Sequence, residues 1–255
     1  MSKSSGLVTL VNIEAPDSWP NELLGYLNRH HKLFLDWATE PRKVKPFTYD
    51  AAIYGLRDVL QPYAIIGWHC TRLTKTEIAS IISTGMQLPD AAILKRRIDA
   101  LLNAGLIGES VATRLKTENQ AHESNRAGMI WFCFFPPRLA GESGIERFFR
   151  HWGGEALYNS HEGDPETGMA IKSIGVPCIV EADVPIASLD PDLGLGFKVV
   201  RRFLIHRGYQ TREPVDHQDA IGRTLPAENI RRVVSFPEPD FMDLTGCETW
   251  DVPIA

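Results

Sequence analysis

Apolar residues in the first sixty positions recur at helical intervals. Leu23, Leu24, Leu27, Phe34 and Trp37 follow a period near 3.6 behind Ser18, a residue type that caps helices. The stretch Glu40-Pro-Arg-Lys-Val-Lys-Pro46 ends that pattern in a loop. A second helix is predicted from Thr48 to Leu60, with Ile53, Leu56, Val59 and Leu60 inward and Gln61-Pro62 as the stop. The texture then changes. Tyr63 to His69 reads as a short buried strand. Thr74-Lys-Thr-Glu77 is a capping box, in which the Thr hydroxyl takes an orphan amide and the Glu reaches back. Ile78, Ile81 and Ile82 continue that helix on one face, and Gly85 closes it. Leu94, Ile98, Leu101 and Leu102 mark another helix, and Gly105 divides it from a shorter piece around Val111 and Leu115.

Met129 to Phe135 is the next predicted strand, stopped by Pro136-Pro137. Ile145, Phe148, Phe149 and Trp152 form an amphipathic helix ending at Gly153-Gly154. Alternation predicts a half-buried strand from Cys178 to Val184. Lys198 to Ile205 and Ile230 to Phe236 are further strand candidates. Strands concentrated after residue 63, with helices between them, give an α+β class. The division expected is a helical extension over residues 1–62 and a main domain over 63–255.

Composition narrows the partners. The chain has 255 residues, 44% hydrophobic and 23% charged, as an ordinary globular protein does. Its formal charge of −5 argues against a protein that coats nucleic acid over its whole surface, but leaves a local basic groove open. Lys95-Arg-Arg97, Arg201-Arg202 and Arg231-Arg232 read as solvated faces, or as the lining of such a groove. The longest apolar run, Met129 to Phe135, is too short to cross a bilayer, so no membrane partner is expected. The N-terminus lacks the apolar core of a signal peptide, and the four cysteines form no C-x-x-C pair. A reduced, cytoplasmic protein without a structural metal is the expectation.

No G-x-G-x-x-G, P-loop, H-E-x-x-H or G-x-S-x-G motif is present. The chemistry-bearing stretch is Trp68-His69-Cys70-Thr71-Arg72, at a strand end just before a capped helix. Alternation puts His69 and Thr71 on one face, where an imidazole and a hydroxyl can grip a ribose or an amide. Arg72 suits a phosphate. Glu155 follows two glycines that allow close backbone approach, which makes it a further candidate.

A strand ending in His69-Cys-Thr71, followed by Glu77-Ile-Ala-Ser-Ile-Ile-Ser-Thr-Gly-Met86, resembles the start of the ADP-ribosyltransferase fold. The resemblance implies a split β-sheet core with NAD as substrate. It implies that His69 and Thr71 hold the ribose and the nicotinamide amide, with Cys70 where a glycine is usual. Gly128, Trp131 and Phe132 resemble the family's glycine–aromatic strand, which implies that Trp131 stacks near the nicotinamide. Tyr158 is the other candidate stacking aromatic, and Arg72 would neutralise the pyrophosphate. Leu225-Pro-Ala-Glu-Asn-Ile230 is similar to the segment after the catalytic strand. The resemblance then places the catalytic acid upstream at Glu213, with Asp216, Asp219, Glu228 and Glu155 as rivals.

Breaking the nicotinamide–ribose bond builds positive charge on the sugar, as glycoside hydrolysis does, and a carboxylate answers it. The resemblance therefore implies a mono-ADP-ribosyltransferase, a glycosyltransferase acting on a protein or nucleic-acid acceptor. By analogy it is an intracellular bacterial toxin or defence factor with an inhibitor or antitoxin partner. The alternatives are a non-catalytic binding module of the same fold, a 2′-phosphotransferase acting on RNA, and an unrelated hydrolase using Cys70.

Overall fold

The computed structural model describes residues 9–124, 126–189, 194–210 and 216–254. A short strand β1 (Leu10–Val11) precedes three helices, α1 (Asn21–Arg29), α2 (His31–Thr39) and α3 (Pro46–Leu60). Next come the long strand β2 (Ala64–Leu73) and helices α4 (Lys75–Thr84), α5 (Ala91–Asn103) and α6 (Glu109–Thr117). Strand β3 (Ile130–Cys133) leads to α7 (Glu142–Arg150), α8 (Glu155–His161) and α9 (Thr167–Ser173). The chain continues through β4 (Val176–Pro185), α10 (Gly194–His206), β5 (Gln218–Ile221), β6 (Ile230–Ser235) and α11 (Pro239–Thr245).

The architecture is α+β. One open sheet runs in the order β5-β3-β2-β4-β6, all neighbours antiparallel, and β1 adds to β2 in parallel. Strand β2 is its axis, registered along its whole length with β4 from Ala64–Pro185 to Leu73–Val176. Its contact with β3 is much shorter: the registered pair is Trp68 with Cys133. Beyond that pair β2 stays with β4 while β3 stays with β5, so the sheet forks at His69.

Alternation sorts the side chains into two layers. Ile65 and Leu73 of β2, with Cys178, Val180, Ala182 and Val184 of β4, face a core shared with Leu23, Leu27, Phe34, Ile53, Leu56 and Phe203. Residues on both sides of position 62 thus belong to one core, and α1, α2, α3 and α10 cover this face. The opposite face presents Ile66, Trp68 and Cys70 to Ile145 and Phe149 of α7 and Phe241 of α11. A third cluster joins α5, α6, α8 and α9 around the fully buried Trp152.

Local details depart from the pattern reading for physical reasons. Helix α1 starts after Pro20, and the Ser18 hydroxyl instead donates to the Ala15 carbonyl. The N-terminal helical run breaks between α1 and α2 at His30. Helix α3 begins at Pro46, since proline fits the first helical position, where no N–H is required. The strand expected over Lys198 to Ile205 is helix α10: Val199, Val200, Phe203 and Leu204 are buried at helical spacing, and that periodicity outweighs the local β-branched content. Strand β5 carries too few apolar residues to announce itself in sequence. Among the described residues no helix is long and apolar enough to cross a membrane.

Arg72 serves this fold. It leaves β2 on the α7 face at 9% exposure. Its Nε donates to the Ile174 carbonyl at 2.7 Å and its Nη1 to the Phe149 carbonyl at 3.0 Å. A buried guanidinium thus ties β2 to the ends of two helices. Arg72→Met should strand both carbonyls and cost about 3 kcal/mol, read as a lower urea midpoint with an unchanged slope. A loss within a few tenths of a kcal/mol would contradict this role.

Candidate functional site

Where β3 parts from β2, a cavity of about 260 Å³ opens on the face that His69 and Thr71 share. Thr71 and Leu73 line it from β2, and Met129 and Ile130 line it from the β3 side. Helix α4 supplies Glu77, Ser80 and Thr84, the linker after it Met86 and Gln87, and α5 supplies Ile93 and Arg97. That volume falls just below the usual range for a whole drug-sized ligand, so it suits one end of a larger molecule.

His69 is fixed by two contacts. Its Nδ1 lies 2.8 Å from the Trp131 carbonyl oxygen. A carbonyl only accepts, so Nδ1 carries the proton, and in the neutral ring Nε2 is left as an acceptor. The Phe132 ring meets the imidazole at a centroid distance of 6.0 Å. Phe132 gets there by lying over Gly67, where a Cβ would come within 2.9 Å of the Phe132 ring. Burial lowers the His69 pKa below the ordinary imidazole value; the Trp131 carbonyl works against this and Arg97 adds to it. The ring is therefore neutral at pH 7.

The opposite wall is built around the Glu77 carboxylate. The predicted capping box is present: Thr74 N–H donates to Glu77 Oε2 at 2.8 Å, and Glu77 N–H donates to the Thr74 hydroxyl at 3.2 Å. The Thr74 hydroxyl also donates to Oε2 at 2.9 Å. Arg97 Nε donates to Oε1 at 2.6 Å, and the Trp152 indole N–H donates to Oε2 at 3.0 Å. The Arg97 guanidinium lies 4.6 Å from the centre of the Trp152 ring. Burial alone would raise the Glu77 pKa, but Arg97, the Thr74 amide and the Trp152 indole together outweigh it and hold the carboxyl below its usual range. Gly85 ends α4 at a φ of +82°, where a Cβ would collide with the Leu225 carbonyl. This close approach brings the segment after β5 against the cavity's edge, where Met86 pairs with Leu225.

The structure brings His69 and Thr71 together at one cavity and places Arg72, Trp131 and Tyr158 elsewhere. Arg72 points to the opposite face and is spent on two carbonyls. Trp131 lends only its carbonyl; its side chain, 46% exposed, leaves β3 on the face opposite Phe132. Tyr158 is 3% exposed in the third core cluster, where its hydroxyl donates to Glu155 and Arg147 sits 3.9 Å from its ring centre. Glu213 lies outside the described residues.

Of the rival acids, Glu155 contacts Tyr158 and Arg126, and Glu228 is exposed beside β6. Asp216 lies just before β5. Asp219 pairs with Phe132 in the β3–β5 register, so it shares the face of His69, and it is buried. Cys70 faces away from His69; its hydrogen bond with Cys133 and its burial push the thiol well above the ordinary range.

Two cavity residues escaped the pattern reading. Glu77 read only as a helix cap, and Arg97 as part of a basic run that forms a solvated face or lines a groove for a polyanion. For Arg97 the signal was the period of α5, which sets it three residues after Leu94 and four before Leu101, both buried, rather than on the outer face. The other basic pairs line no common groove with it. Arg231 and Arg232 are tied to Glu181, Asp183 and Asp240 on the sheet edge. Arg201 lines a separate, larger cavity of about 940 Å³ between α2, α3 and α10, whose described lining includes neither His69 nor Thr71. Among the described residues no group of His, Cys, Asp and Glu is placed to hold a metal ion.

A depressed Glu77 pKa has a consequence for stability. The carboxylate stabilises the fold fully above the unfolded value of about 4.3, and that contribution is lost as pH falls through the lower folded value. Glu77→Gln should therefore lower stability at pH 7 by about 2 kcal/mol, with the deficit shrinking below about pH 4. Urea unfolding at a series of pH values checks this, and a deficit independent of pH would contradict it. No family model, curated protein or solved structure matches the chain, so its activity is read from this cavity.

Proposed function

We propose that the cavity at the sheet fork takes the nicotinamide–ribose end of NAD, and that the protein is a cytoplasmic NAD-dependent mono-ADP-ribosyltransferase. The observation that carries this reading is the fork itself. A neutral His69, locked at Nδ1 by the β3 backbone, and Thr71, one alternation further on, line a hollow of about 260 Å³ between two diverging strands, room for one end of a dinucleotide. Such a parting of strands is what a split β-sheet core requires. In this reading His69 Nε2 accepts from a ribose hydroxyl and Thr71 holds the carboxamide. The flat ring rests against Met86, Ile93, Met129 and Ile130, which replace the stacking expected of Trp131 and Tyr158. Arg72 takes no part.

The reaction breaks the bond between C1′ of the ribose and the pyridinium nitrogen, and its electron pair leaves with neutral nicotinamide. A nucleophile on a protein or nucleic-acid acceptor forms the new bond to C1′ and gives up its proton. A carboxylate stabilises the sugar cation between those events. Glu213, just upstream of β5, is the proposed acid, and Asp219, on the His69 face of β5, is its rival. Transfer to a cellular macromolecule would make the protein an intracellular toxin or defence factor, with an inhibitor or antitoxin as its partner.

A second reading, a binding module that does not turn NAD over, is favoured by one observation. Glu77 is the acid among the described lining residues, and four donor groups already hold it. Free nicotinamide, measured after incubation with NAD and a cell extract, separates the two. The enzyme reading predicts release, cut at least about a hundredfold in His69→Ala and unchanged in Cys70→Ser. Loss in Glu213→Gln with retention in Asp219→Asn identifies Glu213 as the acid, and the reverse identifies Asp219. NAD binding without release in any extract would establish the binding module instead.

A further inference from the structure

We infer that Arg97 is the anion-binding residue of the fork cavity, and that it takes a phosphate of the ligand whose other end lies at His69 and Thr71. The inference rests on the NAD reading of that cavity and adds the group that holds the dinucleotide's pyrophosphate. Arg72, the arginine that the sequence pattern offered for this work, is buried on the other face of β2, where its Nε and Nη1 donate to backbone carbonyls. Arg97 is the cation among the described residues lining the cavity, about a third exposed.

Its geometry is that of a prepared site. One edge of the guanidinium is used: Nε donates to Glu77 at 2.6 Å. One face is used as well, lying 4.6 Å from the Trp152 ring centre. Those two contacts fix the plane of the fork, and Trp152 is itself fully buried and bonded to the same carboxylate. No group among the described residues is bonded to the two terminal amino groups of Arg97. Two parallel N–H donors with a fixed direction are what a phosphate oxygen pair recognises, and holding them beforehand removes the cost of ordering a long side chain.

Glu77 supplies a counter-charge to the partly buried cation, so the pair is built to hold Arg97 in place. The Ser80 hydroxyl and the Gln87 amide line the same cavity and can donate to the remaining phosphate oxygens. A carboxylate ligand would use the same fork, so the test must vary a phosphate alone.

Nicotinamide riboside and nicotinamide mononucleotide differ by one phosphate, and calorimetric titration of both into the full chain isolates it. The wild-type protein should bind the mononucleotide more tightly by about tenfold or more. Arg97→Gln should bind both compounds with the wild-type affinity for the riboside. Arg97→Lys keeps a charge for Glu77 but loses the planar fork, so it should fold normally and keep only part of the preference. If Arg97→Gln does not fold, Arg97→Lys decides: a several-fold smaller preference supports the inference and an undiminished one overturns it. A full preference in Arg97→Gln also overturns it. Wild-type protein that binds both compounds equally removes the phosphate role and leaves the NAD reading standing. Wild-type protein that binds neither removes both.

Discussion

The Glu77 carboxylate holds three parts of the chain in one place. It caps α4 through Thr74, pairs with Arg97 of α5 and accepts from Trp152 in the turn between α7 and α8. Without it the capping box of α4 would lose its reciprocal half, Arg97 would lie half-buried without a counter-charge, and the indole N–H of a fully buried tryptophan would have no partner. Each of those losses is costly because the site is partly withdrawn from water. The sheet supplies the other wall, since β2 is pinned to β4 along its length and leaves β3 after one registered pair. The cavity exists because a rigid helical wall stands opposite a fork in the sheet.

The chemistry of that cavity follows from what each group has already spent. His69 has committed its Nδ1 proton to a backbone carbonyl and keeps an acceptor nitrogen. Glu77 has committed both oxygens and keeps only its field. Arg97 has committed one edge and one face and keeps two amino groups. Thr71 offers a hydroxyl beside an apolar lining of methionine and isoleucine. An acceptor, a hydroxyl, an apolar slot and a directed cation describe a ligand with a flat ring, a polyol and an anionic group in sequence. NAD meets that description. Among the described lining residues the one acid, Glu77, is already committed, so the proposed turnover rests on Glu213 or Asp219.

Much of the scaffold was legible in the sequence. The helices around Leu23, Ile53, Leu94 and Ile145 appear where the apolar period places them, and the strands at His69, Phe132, Ile179 and Val233 stand where short apolar runs are bounded by breakers. The capping box at Thr74 and the stop at Gly85 were readable because their mechanism is local. Helix α10 was misread because Val199 and Val200 favour strands in isolation, and only packing against α3 and the sheet reveals the helical face. His69 and Thr71 were legible as a pair because alternation is a local rule. Arg72, Trp131 and Tyr158 were not, since which face of a strand meets a cavity depends on the partner strand. Arg97 was hidden for a related reason: a basic run looks solvated until a carboxylate and an indole from distant segments close over it.

The central claim is that a neutral His69 at the fork presents Nε2 to the ribose of NAD. Nitrogen NMR of histidine side chains in the labelled protein tests it directly. The account predicts a His69 ring protonated at Nδ1 and bare at Nε2 at pH 7, with the Nε2 resonance moving saturably as NAD is added and Nδ1 keeping its proton. A His69 signal that stays in place while NAD binds, or a ring protonated on both nitrogens at that pH, would contradict it.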